Sequence, residues 1–303
     1  MPGYQPWQPD LSTQRILDQV NDVLDEYAAH LPLTIRQIFY RLVGAHGYPK
    51  LEKDYKNLCR YLKKARRARM IPMGAIRDDY TRLAPYTHAG VDDFLAQTRR
   101  EAAAMLLDRT IGQSTRVVVM CEAAGMAPQL ERVAAPYGIP IYSSSGFDSL
   151  TVKFGFAREF AEGDRPVEVL HIGDFDPSGE TIFASLADDV TAFVQQFADD
   201  EQHDEDEVVA TNAEVAFTRL AVTPAQIRQY RLPTAPPKAT DVRAAFTATR
   251  TCQAEALPPD TLAAILLAAI TDPSRFNRAA YTRVLKEEAT ARATLATHLE
   301  RLP

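Results

Sequence analysis

The stretch His171-Ile172-Gly173-Asp174-Phe175-Asp176-Pro177-Ser178-Gly179-Glu180 decides how this chain is read. The apolar run Val167-Glu168-Val169-Leu170 leads into it. That pattern predicts a buried strand ending in an acidic turn, with a helix from about Ser178. Asp174 and Asp176 are two apart, so on an extended backbone their side chains leave the same side. Two neighbouring carboxylates at a strand's carboxyl end repel each other unless a cation sits beside them. Oxygen donors, with no Cys or His within the Asp-x-Asp turn itself, point to Mg²⁺, or Mn²⁺, rather than zinc. The alternative is an Asp-Pro turn in which an Asp caps the next helix.

A second strand, Arg116-Val117-Val118-Val119-Met120-Cys121, also ends in an acid, Glu122. A helix-like stretch from Pro128 to Tyr137 follows. Then come a short strand Ile139-Pro140-Ile141-Tyr142, a turn Ser143-Ser144-Ser145-Gly146 and a helix from about Phe147 to Ala161. Strand and helix alternate with short connections, which predicts an α/β fold with a mainly parallel sheet and helices on both faces. Reactive groups in such sheets gather outside the carboxyl ends of the strands, near a switch point. Glu122, Asp174 and Asp176 are therefore candidate ligands of one metal site.

This order resembles the Toprim domain of topoisomerases, primases and some nucleases, a Rossmann-like domain with a Glu after its first strand and a DxD after its third. The continuation Pro177-Ser178-Gly179 is most similar to the A subunit of type IIB topoisomerase (topoisomerase VI), from which the meiotic double-strand-break protein descends.

Composition bounds the rest. The 303 residues, 46% of them hydrophobic, suit a globular chain of one large or two ordinary domains. No 18-residue apolar run and no signal peptide stand out, so neither a membrane span nor export is expected. Cys59, Cys121 and Cys252 form no CxxC pair, and a reduced cytoplasm fits. The net charge of −6 is unevenly spread. Seven acids fall between Asp199 and Glu207, with Asp204, Glu205 and Asp206 among them; they read as a solvated loop. Without those seven, 33 acids face 34 basic residues. Lys50 to Arg69 holds nine basic residues against Glu52 and Asp54. Lys56, Arg60, Lys63, Lys64, Arg66 and Arg67 are the candidate DNA contacts of that run.

Helical periodicity frames the basic run. Leu11 to Ala29 carries Ile16, Val20, Val23 and Leu24 on one side. Thr34 caps a second helix from about Ile35 to Val43, and a turn from Gly44 to Pro49 leads to a third from about Glu52 to Ala68. Leu58, Tyr61, Leu62 and Ala65 give that helix its apolar stripe. Ile71 to Ile76 is expected to begin a β-wing. The pattern reads as a winged helix-turn-helix with the third helix in the major groove. A basic, solvent-facing amphipathic helix is the alternative for the run alone.

On the second helix, Ile35, Ile38, Phe39, Leu42 and Val43 share one arc at ~100° per residue. Tyr40 falls roughly 130° from the centre of that arc and is expected to point outward, with Arg36 one turn earlier. A phenol oxygen can attack a phosphodiester and an Arg can neutralise the attacked phosphate. The alternative is an aromatic packed on the neighbouring domain. Here too the chain resembles the topoisomerase VI A subunit. Arg36-Gln37-Ile38-Phe39-Tyr40 is similar to its Arg-x-Ile-aromatic-Tyr motif, whose last Tyr forms the link to DNA. The match covers most of residues 31–182, winged helix first and Toprim second.

The resemblance implies a winged-helix DNA-binding domain with a linker helix over 1–112 and a Toprim domain with a helical extension over 113–303. It implies Mg²⁺-dependent cleavage of double-stranded DNA by a homodimer in which Tyr40 of one protomer reaches the metal of the other. Glu122, Asp174 and Asp176 would hold Mg²⁺, and Tyr40 and Arg36 would act on the phosphate. No Gly-rich ATP-binding signature is present, so an ATPase would be a separate subunit. A related Toprim subunit of a bacterial plasmid-defence condensin system, Wadjet, hydrolyses DNA with water, which gives a metal-dependent endonuclease as the alternative; a non-catalytic DNA-binding partner is the third reading. Beyond residue 210, Val215 to Val222 reads as a further strand, Thr223 to Tyr230 as a capped helix, and Arg231 to Thr240 as extended. Two helices, Asp260 to Ile270 and Pro273 to Leu302, close the chain. Glu255 reads as a surface acid preceding a helix, or as a carboxylate supporting the metal site.

Overall fold

The structure is a computed structural model that describes residues 6–76, 87–143, 149–163, 165–201, 214–237 and 247–301. It is a mixed α/β fold around one four-stranded parallel sheet.

Three helices open the chain. Helix α1 spans Leu11–Glu26, and Asp10 Oδ1 accepts from the Thr13 N–H at 2.7 Å to cap it. Helix α2 spans Ile35–His46. Thr34 Oγ1 accepts from Gln37 N at 3.2 Å while Gln37 Oε1 accepts from Thr34 N at 2.9 Å, a reciprocal cap that fixes its start. Gly47, at φ 67°, ends it in the left-handed conformation that glycine adopts without strain. Helix α3 spans Glu52–Arg67. Leu17, Val20, Val23, Leu24, Ile38, Leu42, Leu58 and Leu62 are buried where the three helices meet. The stretch Ile71 to Ile76 forms a 3₁₀ turn at Met73–Ala75, not a strand, and Ile76 makes a single bridge to Leu33. Any continuation of a wing lies outside the described residues. Helix α4, Val91–Ala104, then packs along the C-terminal helix.

The sheet follows. Strand β1 is Arg116–Cys121, α5 is Ala127–Ala134, β2 is Ile141–Ser143 and α6 is Leu150–Ala161. Strand β3 is Val167–Ile172, α7 is Pro177–Glu201 and β4 is Val215–Ala221. Helices α8, Pro224–Gln229, α9, Pro259–Ile270, and α10, Arg278–Leu299, complete the chain. The acids Asp199 to Glu201 belong to the end of α7; the rest of the acidic run lies outside the described residues, as do Ser144 to Phe147 and Lys238 to Thr240.

Strand order is β2-β1-β3-β4. Period-2 alternation divides β1 between two cores. Val118 and Met120 pack with Phe160 of α6 and Leu186, Val190 and Val194 of α7. Val117, Val119 and Cys121 join α5 and α9 on the other face, in a cluster continuous with the core of α1, α2 and α3. The N-terminal helices are thus seated against the sheet layer. Gly125 permits part of this approach: a Cβ there would lie 2.7 Å from Thr34 Cγ2 at the start of α2.

From β1 the chain steps to β2 on one side and then returns to place β3 on the other. The order reverses between β1 and β3, which makes a crevice outside their carboxyl ends. Met120 pairs with His171 and Cys121 with Ile172. Glu122 and Gly173 leave the sheet side by side at that crevice.

Candidate metal centre and nucleic-acid face

The acidic turn is held from every side. Asp176 Oδ1 accepts from the Gly179 N–H at 2.7 Å, so it caps α7 while facing the crevice. Asp174 Oδ1 accepts from the Ala254 N–H at 2.8 Å. The Asp174 carbonyl accepts from Arg219 on β4, whose guanidinium also lies 3.3 Å from Glu180. Each Asp therefore turns to its own backbone partner. Burial pushes the Asp174 carboxyl up to about 7, and the charges of Glu255, Asp176 and Glu122 add to the rise. Four carboxylates thus share one electrostatic environment.

Glu122 lies against the turn because Gly173 has no side chain; a Cβ there would collide with the Glu122 carboxylate. Glu122 Oε1 is 3.2 Å from Nε2 of His171, which is fully buried on β3. The pair lacks hydrogen-bond geometry, leaving Glu122 Oε1 and both imidazole nitrogens without a hydrogen-bond partner among the described residues. Burial lowers the pKa of His171 against the opposing pull of Glu122.

A strap, residues 252–256, joins this turn to α2. Phe175 N donates to Cys252 O at 2.8 Å and Cys252 N to Phe175 O at 2.9 Å, an antiparallel bridge. On its other side, the Tyr40 hydroxyl donates to Gln253 Oε1 and Arg41 donates to the Ala256 carbonyl. Tyr40 is therefore not outward-facing: it is 4% exposed. Its expected surface is covered because α2 is buried on two sides, by Ile38 and Leu42 against the helices and by Tyr40 and Gln37 against the sheet region, where Gln37 meets Gln129 at 2.5 Å. Burial raises the Tyr40 pKa, the charges of Glu255 and Asp174 raise it further, and Arg36 opposes them.

Two hollows flank Tyr40. One, of about 190 Å³, is lined by Tyr40, Lys50, Asp176, Thr251, Cys252 and Gln253. The other, of about 180 Å³, shares Tyr40, Lys50 and Gln253 and adds Arg36, Phe39 and Tyr55. Lys50 Nζ lies 5.2 Å from the centre of the Tyr40 ring and donates to Pro233 O at 3.0 Å. Burial pulls the Arg36 pKa down, but Glu255 and a hydrogen bond with Tyr55 carry it up. The structure thus brings Tyr40, Arg36 and Asp176 to one region of a single chain.

The basic run on α3 divides. Lys53, Lys56, Arg60, Lys63 and Lys64 are exposed, on one face by their spacing of three and four. Lys56 pairs with Glu52 at 2.9 Å, Arg60 donates to Asn57 and Lys64 lies over the Trp7 ring at 5.5 Å. Arg66 is different. It donates to the carbonyls of Met73 at 3.0 Å and Ile76 at 3.2 Å, bracing the turn after α3, and is half-buried, as is Arg67.

Two residues beside the acidic turn and Tyr40, Arg219 and Lys50, were given no role there by the sequence reading, and a third, Glu255, was left open between a surface acid and a carboxylate supporting the metal site. Glu255 is 9% exposed and sits on the strap, not on the surface. Arg219 holds the acidic turn; its signal was a lone cation inside the apolar strand β4. Lys50 belongs to the Tyr40 hollows, not to the open basic face. Among the described residues no three Asp, Glu, His or Cys side chains stand in a ready metal-binding arrangement. The donor chemistry nevertheless fits a hard divalent cation. The acids offer oxygen alone, two of their buried oxygens, Glu122 Oε1 and Glu255 Oε2, have no hydrogen-bond partner among the described residues, and their mutual repulsion is what a cation would relieve. Cys121 and Cys252, whose thiols burial pushes up to about 12, are inert at neutral pH. Comparison with protein-family models, curated proteins and solved structures finds no match to this chain. No helix among the described residues is long and apolar enough to cross a membrane.

Proposed function

We propose that this chain cleaves DNA strands with a divalent cation, as a protein of the topoisomerase VI A-like kind: a winged-helix module carried by α1, α2 and α3, followed by a Toprim domain. The observation that carries the reading is the cluster of Glu122, Asp174 and Asp176 at the switch point between β1 and β3, beside Tyr40 and Arg36. The Glu follows the first strand and the DxD follows the third, the order that the resemblance implies.

Each part of the chain has a task in this account. The exposed cations of α3 attract the phosphate backbone, a contact independent of base sequence. Glu122, Asp174 and Asp176 would hold Mg²⁺, which when bound stabilises the charge developing on the attacked phosphate. Arg36 and Lys50 line the hollows beside Tyr40 and offer positive charge to the same phosphate.

Two nucleophiles are open to such a site. If Tyr40 attacks, its oxygen bonds to phosphorus, one P–O bond breaks and the departing strand ends in a hydroxyl. The Tyr40 hydroxyl, however, is held by Gln253, it is buried, and that burial, with the charges of Glu255 and Asp174, raises its pKa. These three facts favour water, and hence hydrolysis, as the second reading. A denaturing gel of end-labelled DNA separates them. Attack by Tyr40 gives a protein–DNA adduct that protease removes, and Tyr40→Phe loses both adduct and cleavage. Hydrolysis gives free ends, and Tyr40→Phe still cuts. No cleavage with any divalent cation overturns both readings. The proposed homodimer has a related consequence: Tyr40 and Asp176 line the same hollow of one chain, so a chain need not borrow its partner's acids to place the two together.

A further inference from the structure

The strap that joins α2 to the acidic turn carries a buried carboxylate, Glu255, whose opposing charge is Arg36. Its backbone is registered on the turn by the Phe175–Cys252 bridge and by the Ala254 N–H on Asp174 Oδ1, at 2.8 Å. Residue 255 follows directly, so Glu255 is the next side chain after the backbone N–H that meets Asp174. Its side chain is 9% exposed, and Oε2 is buried without a hydrogen-bond partner among the described residues. A buried carboxylate oxygen normally finds a donor or a cation. Around Glu255 the strap spends its polar groups elsewhere: Gln253 on Tyr40, the Ala254 N–H on Asp174 and the Ala256 carbonyl on Arg41. Arg36 offsets the Glu255 charge in part, and a fourth negative group beside three crowded acids becomes favourable when a divalent cation is there to be shared.

We propose that Glu255 is a fourth carboxylate of the divalent-cation site, supplied by the strap. The inference rests on the cation site proposed above. It also gives the strap a second consequence. The segment that supplies Glu255 holds the Tyr40 hydroxyl two residues earlier, so cation binding at Glu255 and the position of Tyr40 are coupled through one short piece of backbone.

The test is Mn²⁺ binding by the full chain without DNA, read from the electron paramagnetic resonance signal of free Mn²⁺. Glu255→Gln keeps the shape of the side chain and removes its charge. The proposal expects Mn²⁺ affinity to fall at least about tenfold, comparable to the loss in Asp176→Asn. It also expects the melting temperature in EDTA to be unchanged or raised, because a repulsive charge has gone. A structural role would instead lower the melting temperature and leave Mn²⁺ affinity alone. Should Glu255→Gln not fold, Glu255→Asp keeps the charge and shortens the reach, and its affinity is expected between the two. Wild-type affinity in Glu255→Gln, with loss in Asp174→Asn and Asp176→Asn, overturns the role of Glu255 and leaves the three-acid site standing. No Mn²⁺ binding by the wild-type chain overturns both.

Discussion

Replacing Asp174 by Asn should stabilise the metal-free protein at alkaline pH, although it removes a site residue. The Asp174 carboxyl titrates near 7 in the folded chain, against an ordinary 3.8. The folded state therefore holds the proton more tightly than the unfolded state. Stability that is present below about pH 4 is lost as pH rises toward 7, and the loss is complete above that. A rise from 3.8 to about 7 corresponds to about 4 kcal/mol if fully expressed, and residual solvent contact brings the expectation to about 2 kcal/mol. For a chain of this size about 2 kcal/mol is roughly 4 °C in Tm. An amide oxygen at position 174 can still accept from the Ala254 N–H, so the bridge to the strap survives. Thermal melts in EDTA should show Asp174→Asn above wild type at pH 8, with the gap narrowing below pH 7 and closing by about pH 4. Saturating MgCl₂ should raise the wild-type Tm and leave the variant where it was. A variant less stable than wild type at pH 8 in EDTA would refute the reasoning, because it would mean that Asp174 is already neutralised by a partner.

Other outcomes follow from the same geometry. Changing Lys56, Arg60, Lys63 and Lys64 together to Ala should weaken DNA binding across sequences and reduce the salt slope by about 3 to 4, measured by fluorescence anisotropy at several salt concentrations. Arg66→Ala should instead cost stability, since its bonds go to the Met73 and Ile76 carbonyls, and an effect on the salt slope equal to that of the lysines would contradict this. Gly125→Ala should destabilise the fold by about 1–3 kcal/mol in urea melts, because its Cβ would meet Thr34 at the start of α2; an unchanged midpoint would show that the two layers separate easily. Mixing Tyr40→Phe with Asp176→Asn chains tests where the site is assembled. If Tyr40 is the nucleophile and acts on acids of its own chain, the mixture stays inactive; recovered cleavage would mean that Tyr40 reaches a partner's acids.

The sheet was legible because its signals are local. Strands β1 and β3 are short, mostly apolar runs followed closely by an acid, the pattern of a buried parallel strand. The position of Glu122 and the two Asp residues at the crevice was legible for the same reason: each lies close to the strand end that places it. Tyr40 was not. A helical wheel has one core arc, whereas α2 is covered on two sides, and the second cover comes from residues 253 and 256, more than 200 positions away. Glu255 stayed ambiguous through the same distance: a surface acid and a buried one look alike until the Ala254 N–H is seen to meet Asp174, 80 residues upstream. The wheel likewise put Arg66 on the basic arc but could not show that the turn after α3 would fold back onto its guanidinium. The expected strand at Ile71 to Ile76 gave way to a 3₁₀ turn at Met73–Ala75, where Pro72 and Gly74 favour a turn over a strand.

The most direct test of the central claim is cleavage of a supercoiled plasmid by the purified chain with MgCl₂ or MnCl₂, set against EDTA and against the Asp174→Asn, Asp176→Asn double variant. The account predicts nicked or linear product from the wild-type chain with a divalent cation, none in EDTA, and none from the double variant, which still binds DNA through α3. Equal cleavage by the double variant, or cleavage that persists in EDTA, would contradict the assignment of the acidic turn as the cutting site.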